Sequence, residues 1–315
     1  VKNLQEDLIL RWTYHSNAIE GNTLTLLETK VVLEGITVGG KALREHFEAI
    51  NHRNAIYYVE DIIRKEEPFS EWQIRNIHQL ILKNIDDENA GRYRQQNVLI
   101  SGATTTPPDY TLLNDKMAQL VDWYNSEAHT LHPIERAAKV HADFVGIHPF
   151  IDGNGRTGRI LNMLYLMSEQ LLNLPILYLS RYIIQHKADY YRLLLAVTKQ
   201  QAWEDWVLYI LNGIIETCTW TIHKIEAIRQ LHQNTSEYVK ARTKNVYSRE
   251  LIDTIFEQPY VRISNLVNKD IAKRQTASVY LSKLVEIGVL QEVEAGKEKL
   301  FLHQALLDLL VADKL

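Results

Sequence analysis

Residues 148–159 read HPFIDGNGRTGR and combine one histidine, one carboxylate, three glycines, one asparagine and two arginines. This stretch joins two apolar segments with a helical period, ERAAKVHADFVGI before it and RILNMLYLM after it. Because Pro149 disfavours helical geometry in the preceding residue, the first helix is expected to end at His148. The glycines that follow free the backbone to turn, and a second helix is expected directly after them. The stretch therefore predicts two helices joined by a glycine-rich loop.

The polar residues of this loop suggest chemistry on phosphates. A glycine-rich turn at a helix N-terminus binds anions, because free N–H groups and the helix dipole both face the ligand. Arg156 and Arg159 add guanidinium groups whose geometry suits phosphate oxygens. Asp152 is placed to hold a hard cation such as Mg²⁺ against those phosphates. His148 titrates near neutrality and can take a proton from an attacking hydroxyl. Together these residues predict nucleotidyl or phosphoryl transfer.

Each of these residues also has an ordinary structural explanation. A histidine at a helix end is usually a cap or a surface residue, GNG is usually a turn, and the neighbouring aspartate usually closes an Asx-turn. Turn chemistry alone is a poor explanation for all of them in this order within one short loop. The combination therefore favours a functional site.

The loop resembles the signature of the Fic family, His-x-Phe-x-Asp/Glu-Gly-Asn-Gly-Arg-x-x-Arg. Every fixed position of that signature matches: His148, Phe150, Asp152, Gly153, Asn154, Gly155, Arg156 and Arg159. The resemblance spans roughly residues 10–215. It implies a mainly α fold, in which a helical Fic domain carries a small β-hairpin flap.

The resemblance implies a protein adenylyltransferase that uses ATP and Mg²⁺. A Ser, Thr or Tyr hydroxyl of a target protein, or of the chain itself, attacks the α-phosphorus, and His148 removes its proton. Asn154 would stabilise charge on the α-phosphate, Arg156 and Arg159 would contact the β- and γ-phosphates, and Asp152 would hold the metal. The implied nucleotide-binding residues are Ile100, Ser101, Gly102, Asp152, Gly153, Asn154, Gly155, Arg156, Thr157, Gly158, Arg159, Tyr190 and Thr198. A buried aromatic side chain in a helical core explains Tyr190 equally well.

Two flanking segments also resemble parts of that family. GRYRQQNVLISGATTTPP, residues 91–108, resembles the flap, a hairpin that aligns the target protein, with docking near residues 97–106. Its apolar run NVLI predicts a strand over 97–100. LYLSRYIIQHKADYYRLLLAV, residues 177–197, resembles the segment that closes over the adenosine.

A second motif lies near the N-terminus, in SNAIEGN at residues 16–22. Ser16 and Glu20 share one helix face, and Gly21 is expected to end that helix. A surface helix end with an unremarkable acid is the simpler interpretation of this segment by itself. Beside the signature, however, it resembles the family's inhibitory motif, Ser/Thr-x-x-x-Glu-Gly/Asn. The resemblance implies self-inhibition, with Glu20 paired to Arg159 in the γ-phosphate position.

The C-terminal sequence predicts a helix, a short strand near 261–263, two helices and a two-stranded wing. This order resembles a winged helix whose recognition helix covers 275–287. From Glu237 to the end there are 12 Lys and Arg against 11 Asp and Glu, a balance that argues against strong DNA binding. We therefore place a protein-contact role above DNA binding for this part.

The remaining helical periodicity organises the chain. Helices are predicted over 4–19, 24–36, 42–65, 71–84, 112–126, 133–147, 156–172 and 187–197, followed by a long helix from residue 203 to at least 225. The polar stretch 233–245 is the expected boundary. The expected parts are an N-terminal helical region, 1–90, the Fic core, 91–232, and a winged-helix-like domain, 246–315.

Composition limits the class of protein. The chain has 315 residues, a net charge of −4 and one cysteine, which excludes an intrachain disulfide and a thiolate zinc cluster. No secretory signal and no membrane-length apolar run are found, so a cytoplasmic protein is expected. The many amphipathic helices make a homodimer plausible. Two alternatives to the restrained AMP transferase stay open: an enzyme that removes AMP or uses another nucleotide, and a nucleotide-sensing transcriptional regulator.

Overall fold

A computed structural model describes residues 2–67, 69–100, 105–126, 130–172, 179–295 and 298–312. Over these residues the protein is mainly α-helical, as expected. The first ten helices are α1 (Lys2–Ile19), α2 (Leu26–Leu33), α3 (Leu43–Arg64), α4 (Glu71–Leu82), α5 (Leu113–Asn125), α6 (Pro133–Ile147), α7 (Asn154–Ser168), α8 (Ser180–Gln185), α9 (Lys187–Gln200) and α10 (Trp203–Arg242). All except the short α8 correspond to helices predicted from the sequence.

The chain divides into two compact units. One comprises Leu8–Thr217, and the other comprises Val1–Asp7 together with Cys218–Leu315. The division therefore falls inside α10, whereas the sequence suggested a boundary in 233–245, most of which is helical. A long helix needs an apolar stripe only where it packs against something, which explains the weak apolar periodicity of this stretch.

Helix α7 is the centre of the Leu8–Thr217 unit. It is buried over nearly its whole length, and α3, α4 and α6 pack around it. Helix α6 approaches α7 closely at Gly158, where a Cβ atom would lie 3.2 Å from Phe144. A helix that is covered on all sides holds its N-terminus rigidly, so the loop before α7 has a fixed support.

The sequence explains where α6 and α7 begin and end. Pro133 occupies the first turn of α6, and His132 with Glu135 forms a capping box before it. The helix ends at His148, as the following proline predicted, in a left-handed conformation with φ 51° and ψ 59°. Gly153, with φ 79°, then caps the start of α7. Only glycine takes that conformation without steric strain.

The strand predicted over 97–100 is wrong. These four residues have no regular secondary structure, and Leu99 is 83% exposed. Residues 105–109, on the other side of the flap segment, are not strand either. A short apolar run forms a strand only when a partner strand satisfies its backbone groups, and the described part of the flap offers none.

The second unit contains a small sheet among short helices. Its elements after α10 are α11 (Arg249–Ile255), β1 (Tyr260–Val261), α12 (Ile263–Asn268), α13 (Arg274–Glu286), β2 (Gln291–Ala295), β3 (Glu298–Leu302) and α14 (Gln304–Val311). The strands are antiparallel in the order β1-β3-β2, and Leu302 lies opposite both Tyr260 and Gln291. Up to β3 the elements follow the predicted order, with Ile263 starting a helix instead of ending the strand. Among the described residues, no helix is long and apolar enough to cross a bilayer.

Candidate active site

His78 and Phe150 fix the shape of the loop between α6 and α7. Their rings stack at 3.5 Å with an angle of 2° between the planes. The His78 Nδ1 atom accepts a hydrogen bond from the Gly91 N–H at 2.9 Å, so Nε2 carries the proton and donates it to the Asp152 carbonyl at 2.9 Å. Burial lowers the pKa of His78 to about 4, which keeps the ring neutral in this role.

Asn154 closes the same loop. Its side-chain oxygen accepts from the Phe150 N–H at 3.0 Å, and its amide nitrogen donates to the Phe150 carbonyl at 2.9 Å. Both polar ends of the side chain are therefore used to hold the loop. The amide nitrogen has a second N–H, so the predicted contact of Asn154 with the α-phosphate stays a prediction.

The sequence predicted that the first turn of α7 binds an anionic ligand. In the structure, a carboxylate of the chain itself lies at this position. A Cβ atom built on Gly155 would overlap Oε1 of Glu20, so the Glu20 carboxylate lies directly against this glycine. The helix dipole and the free N–H groups of a first turn favour negative charge at this position. The N–H of Gly153 is already taken by Oδ1 of Asp152 at 2.5 Å.

Arg159 holds both polar residues of the SNAIEGN motif. Its Nη2 donates to Oε1 of Glu20 at 2.7 Å and to the Ser16 carbonyl at 2.8 Å, while Nε donates to the Ser16 hydroxyl at 3.0 Å. The Arg159 side chain is 3% exposed and that of Glu20 is 33% exposed. The predicted Glu20–Arg159 pair is therefore present, with its arginine buried.

Arg156 and Asp152 form a second charged cluster. The Arg156 side chain is 2% exposed and lies 3.3 Å from Oε1 of Glu48 and 3.3 Å from Oδ1 of Asp152. The other oxygen of Asp152 accepts from Arg44 at 2.6 Å. Burial raises the pKa of Asp152, but Arg156, the Gly153 N–H and Arg44 outweigh it and hold the pKa below its ordinary value. Arg156 thus lies between two carboxylates in this structure, and its predicted contact with the β-phosphate stays a prediction.

His148 is held as a neutral imidazole at the end of α6. Burial lowers its pKa, and the nearby Arg94 guanidinium lowers it further, against opposing effects from the Val145 carbonyl, Glu20 and Asp152. A histidine with a lowered pKa is unprotonated at neutral pH. It is therefore ready to accept a proton, which is the state that a general base requires.

Of the other residues with a predicted nucleotide contact, three lie in the helical core and one is exposed. Thr157 is fully buried, and Gly158 packs against α6, so packing explains both positions. Tyr190 is also buried, and its hydroxyl hydrogen-bonds to Nε2 of His141 at 2.7 Å. Thr198 is exposed near the end of α9 and donates to the Leu194 carbonyl at 2.9 Å.

The structure describes only some of the flap residues for which a nucleotide contact was predicted. Ile100 is half-buried and irregular in conformation, and the predicted contacts of Ser101 and Gly102 lie outside the described residues. Arg94, near the start of the flap segment, is in contrast almost fully buried. Nothing in the sequence distinguished it from a surface arginine.

Three further residues of the site were missed. Arg44 and Glu48 belong to α3, and His78 belongs to α4. They contact the signature loop only because α3 and α4 pack on α7. Such contacts leave no local sequence pattern, since the residues are far apart along the chain.

Comparison with sequence families identifies two parts of the chain. Residues 68–166 match the Fic/DOC family, and residues 231–306 match the C-terminal domain of SoFic-like protein adenylyltransferases. The first match contains the whole signature loop. The second contains the small sheet and the helices around it.

Curated relatives agree with these matches. The chain is 38% identical over 171 residues to protein adenylyltransferase fic-1 of Caenorhabditis elegans, and 40% identical over 170 residues to protein adenylyltransferase Fic of Nematostella vectensis. Each alignment covers 53% of this chain, but only 33% and 39% of the respective relative. The chain therefore matches little more than a third of the length of these proteins.

Solved structures share the fold. Fic-1 from C. elegans superimposes with a TM-score of 0.61 at 33% identity, covering 69% of this chain and 63% of the other. A Fic family protein from Desulfovibrio desulfuricans G20 also gives a TM-score of 0.61 and covers 95% of this chain and 87% of the other. At 22% identity the second likeness concerns the fold alone. The signature loop, the domain matches and this shared fold show that the chain contains a Fic/DOC domain, followed by a SoFic-like C-terminal domain.

Proposed function

We propose that this chain transfers AMP from ATP to a Ser, Thr or Tyr hydroxyl of a target protein, and also to itself. The observation that carries the proposal is the position of His148 at the end of α6, beside the start of α7, where the Glu20 carboxylate lies against Gly155. The relatives' name, protein adenylyltransferase, supports the same reaction. The target is proposed to dock along the flap segment near residues 97–106, next to this loop.

The proposed reaction is a displacement at the α-phosphorus. The hydroxyl oxygen of the target forms a new bond to phosphorus, and the bond to the bridging oxygen of the β-phosphate breaks. His148 takes the hydroxyl proton, and pyrophosphate is the leaving group. Positioning and charge stabilisation supply most of the catalysis in such transfers.

Asp152 is the residue proposed to hold Mg²⁺. No group of three or more His, Cys, Asp or Glu side chains that could bind a metal occurs among the described residues. A single carboxylate nevertheless suits Mg²⁺, which usually binds one or two carboxylates together with substrate phosphates. Asp152 is ionised more readily than an ordinary aspartate, so it fits this role. When bound, the ion would neutralise charge on the phosphates.

Glu20 is proposed to restrain the transfer. Its carboxylate lies against Gly155 and is bonded to Arg159, so it takes up both the helix terminus and a phosphate-binding guanidinium. ATP bound beside it would meet negative charge where its terminal phosphates belong. The α-phosphate would then be turned away from His148. Inhibition is expected to act on the pose of ATP more than on its affinity.

The position of Glu20 also keeps one alternative open. A carboxylate at this place could activate a water molecule, and the protein would then mainly remove AMP from modified targets. Mass spectrometry of modified and unmodified protein before and after incubation distinguishes the two directions. Use of another nucleotide would appear as a different mass increment.

The C-terminal unit is proposed to contact proteins instead of DNA. Three of its lysines are engaged with neighbouring acids: Lys269 with Glu257, Lys283 with Glu286 and Lys299 with Glu292. Each of these acids cancels the charge of its lysine, so the surface can neutralise fewer phosphates and displace fewer of the counterions condensed on DNA. This argues against the transcriptional regulator as the main function.

The direct test uses the Glu20→Gly protein with α-labelled ATP and Mg²⁺ in a cell lysate. Label should appear on the chain itself and on a discrete set of target proteins. The same protein with His148→Ala is the control, and it should lose about 10²–10⁴ in rate while still binding ATP. Transfer that persists undiminished in a folded His148→Ala protein, or no transfer by the Glu20→Gly protein, would refute the proposal.

A further inference from the structure

Arg94 connects the loop of His148 to both ends of the flap segment. Its backbone N–H donates to the Pro149 carbonyl at 2.9 Å, and Nε donates to the His148 carbonyl at 2.9 Å. Nη1 donates to the Gln96 carbonyl at 2.9 Å, and Nη2 donates to the Pro108 carbonyl at 2.6 Å. One side chain thus contacts both described ends of the flap segment and the backbone of the proposed general base.

The burial of Arg94 is unusual for a cation. The residue is 3% exposed, and its charge is met by backbone carbonyls, with Asp109 the acid that influences it. Burying a guanidinium is costly unless its donors are satisfied. The His148 carbonyl lies at the C-terminal end of α6, where the helix dipole favours positive charge. The position therefore suits a cation, provided that its N–H groups are bonded to these backbone carbonyls.

The base of the flap segment is braced a second time. Asn97 donates to Oδ2 of Asp109 at 2.8 Å, and its side-chain oxygen accepts from the Tyr110 N–H at 3.0 Å. The two ends of the segment are therefore held together beside the place where Arg94 clamps them. Both described ends of the flap segment are therefore tied to the His148 loop.

We infer that Arg94 is a positioning residue that holds the flap, and the target docked on it, in register with His148. The inference rests on the proposed function, since the flap is proposed to bind the target. A displacement of about 1 Å between a nucleophile and its base can cost roughly 10²-fold in rate. The acceptor hydroxyl is brought in by the flap and His148 by α6, so their relative position depends on the residue that joins them.

Lysine cannot reproduce this clamp. A guanidinium has five N–H donors in a planar fork, which lets Arg94 reach carbonyls in three separate segments. An ammonium group is compact and has three donors on a flexible stem. Arg94→Lys therefore keeps the charge but loses the geometry. Arg94→Met loses both, and removal of the nearby cation should raise the pKa of His148.

The test compares Arg94→Lys and Arg94→Met in the full chain carrying Glu20→Gly. The acceptor is the full chain with His148→Ala, and AMP transfer to it is measured with α-labelled ATP. The matched control is Arg136→Lys, because Arg136 also donates to a backbone carbonyl, that of Tyr124 at 2.7 Å. Arg136 lies in the first turn of α6, roughly 18 Å from His148 along the helix.

We expect Arg94→Lys to lower kcat/KM for the protein acceptor about 10- to 100-fold. The dissociation constant of ATP, measured by calorimetry, should change less than about twofold, because no ATP contact is assigned to Arg94. Arg94→Met should also move the acid limb of the kcat/KM profile to higher pH. Arg136→Lys should change none of these. If both Arg94 variants transferred AMP at the rate of the Glu20→Gly protein, the inference would be overturned. It would also be overturned if their affinity for ATP fell by the same factor as kcat/KM.

Hydrogen exchange tests the same inference without relying on activity. In Arg94→Lys, the hydrogen-bonded backbone amides of residues 94, 110, 111 and 112 should exchange faster than in the parent protein, whereas Arg136→Lys should leave them unchanged. Unchanged exchange at both flap ends would show that Arg94 is not the clamp, whatever the transfer rate. Absence of AMP transfer in the Glu20→Gly protein with Arg94 intact would instead refute the proposed function.

Discussion

At the scale of single residues, the contact between Gly155 and the Glu20 carboxylate determines whether the start of α7 is open to another anion. Gly155 has no side chain, and the Glu20 carboxylate uses the space that this leaves at the start of α7. Arg159 then fixes the carboxylate there through a hydrogen bond of 2.7 Å. A phosphate group would need the same N–H groups and the same guanidinium, so the two anions compete for one position.

This contact predicts a coupling between Gly155 and Glu20. Gly155→Ala should lower the free energy of unfolding in the wild-type protein, because the new methyl group meets Oε1 of Glu20. In the Glu20→Gly background the same change should be less destabilising by about 1 kcal/mol, since that neighbour is gone. Denaturant unfolding of the four proteins measures the coupling. An equal effect in both backgrounds would mean that the carboxylate does not rest on this glycine.

The environment of His148 predicts the pH dependence of the reaction. Burial lowers its pKa below the ordinary value of 6.5, so the base form is present at neutral pH and is lost only when the pH falls through that lower value. The acid limb of kcat/KM in the Glu20→Gly protein should therefore lie below pH 6.5. An acid limb above 6.5 that disappears with His148→Ala would show that the imidazole is not shielded as described.

At the scale of elements, α1 is held over the site at its C-terminal end. The Lys187 ammonium, in the first turn of α9, donates to the Ile19 carbonyl in the last turn of α1 at 2.6 Å. A cation at this end of a helix is stabilising because the terminal carbonyls carry partial negative charge. Glu20 follows Ile19 directly, so the lysine secures the residue that occupies the anion site.

Loss of this contact should release part of the restraint. Lys187→Met in the wild-type protein is expected to raise AMP incorporation roughly two- to fivefold, matching a helix-end interaction of about 0.3–1 kcal/mol. Lys65→Met is a suitable control, because Lys65 forms an exposed ion pair with Asp61 at 2.6 Å. Incorporation is measured with α-labelled ATP in all three proteins. Equal rates in Lys187→Met and wild type would remove Lys187 from the control of α1.

The elements also show what a sequence can reveal. Helices α6 and α7 and their junction were predicted because Pro149 and the glycines act locally on the backbone. The strand over 97–100 was wrong because a strand depends on a partner that the sequence pattern does not supply. The contacts that Arg156 and Asn154 make could not be predicted, for a similar reason. Glu48, the partner of Arg156, lies in another helix, and the Asn154 amide turned back onto its own loop.

At the scale of the whole molecule, the proposed site belongs to one of the two units. Every described residue assigned to ATP or catalysis lies within Leu8–Thr217. The part of α10 in this unit contributes Trp206, Tyr209 and Ile210 to its core. The unit therefore needs the start of α10 but not the sheet that follows. Up to β3 the C-terminal elements follow the order predicted from the sequence, and the continuous helix α10 carries the chain across the division.

This organisation predicts the effect of truncation. A chain ending after Asn234 keeps the whole Leu8–Thr217 unit and the helix beyond it, so it should bind ATP with Mg²⁺ as tightly as the full chain. Calorimetry on both proteins checks this, with circular dichroism to confirm that the shorter one is helical. Loss of ATP binding in a soluble, helical truncated protein would contradict the assignment of the site to this unit.

The most direct test of the account is AMP incorporation by three proteins at saturating ATP: wild type, Glu20→Gly, and Glu20→Gly combined with Arg159→Ala. Glu20→Gly should transfer faster than wild type, because Arg159 becomes free to orient the phosphates. The double variant should lose most of that gain. An exposed ion pair contributes about 1 kcal/mol or less and a buried one more, so the gain should exceed roughly fivefold if the buried arginine dominates. Equal rates in wild type and Glu20→Gly would contradict the account and make SNAIEGN an ordinary helix end.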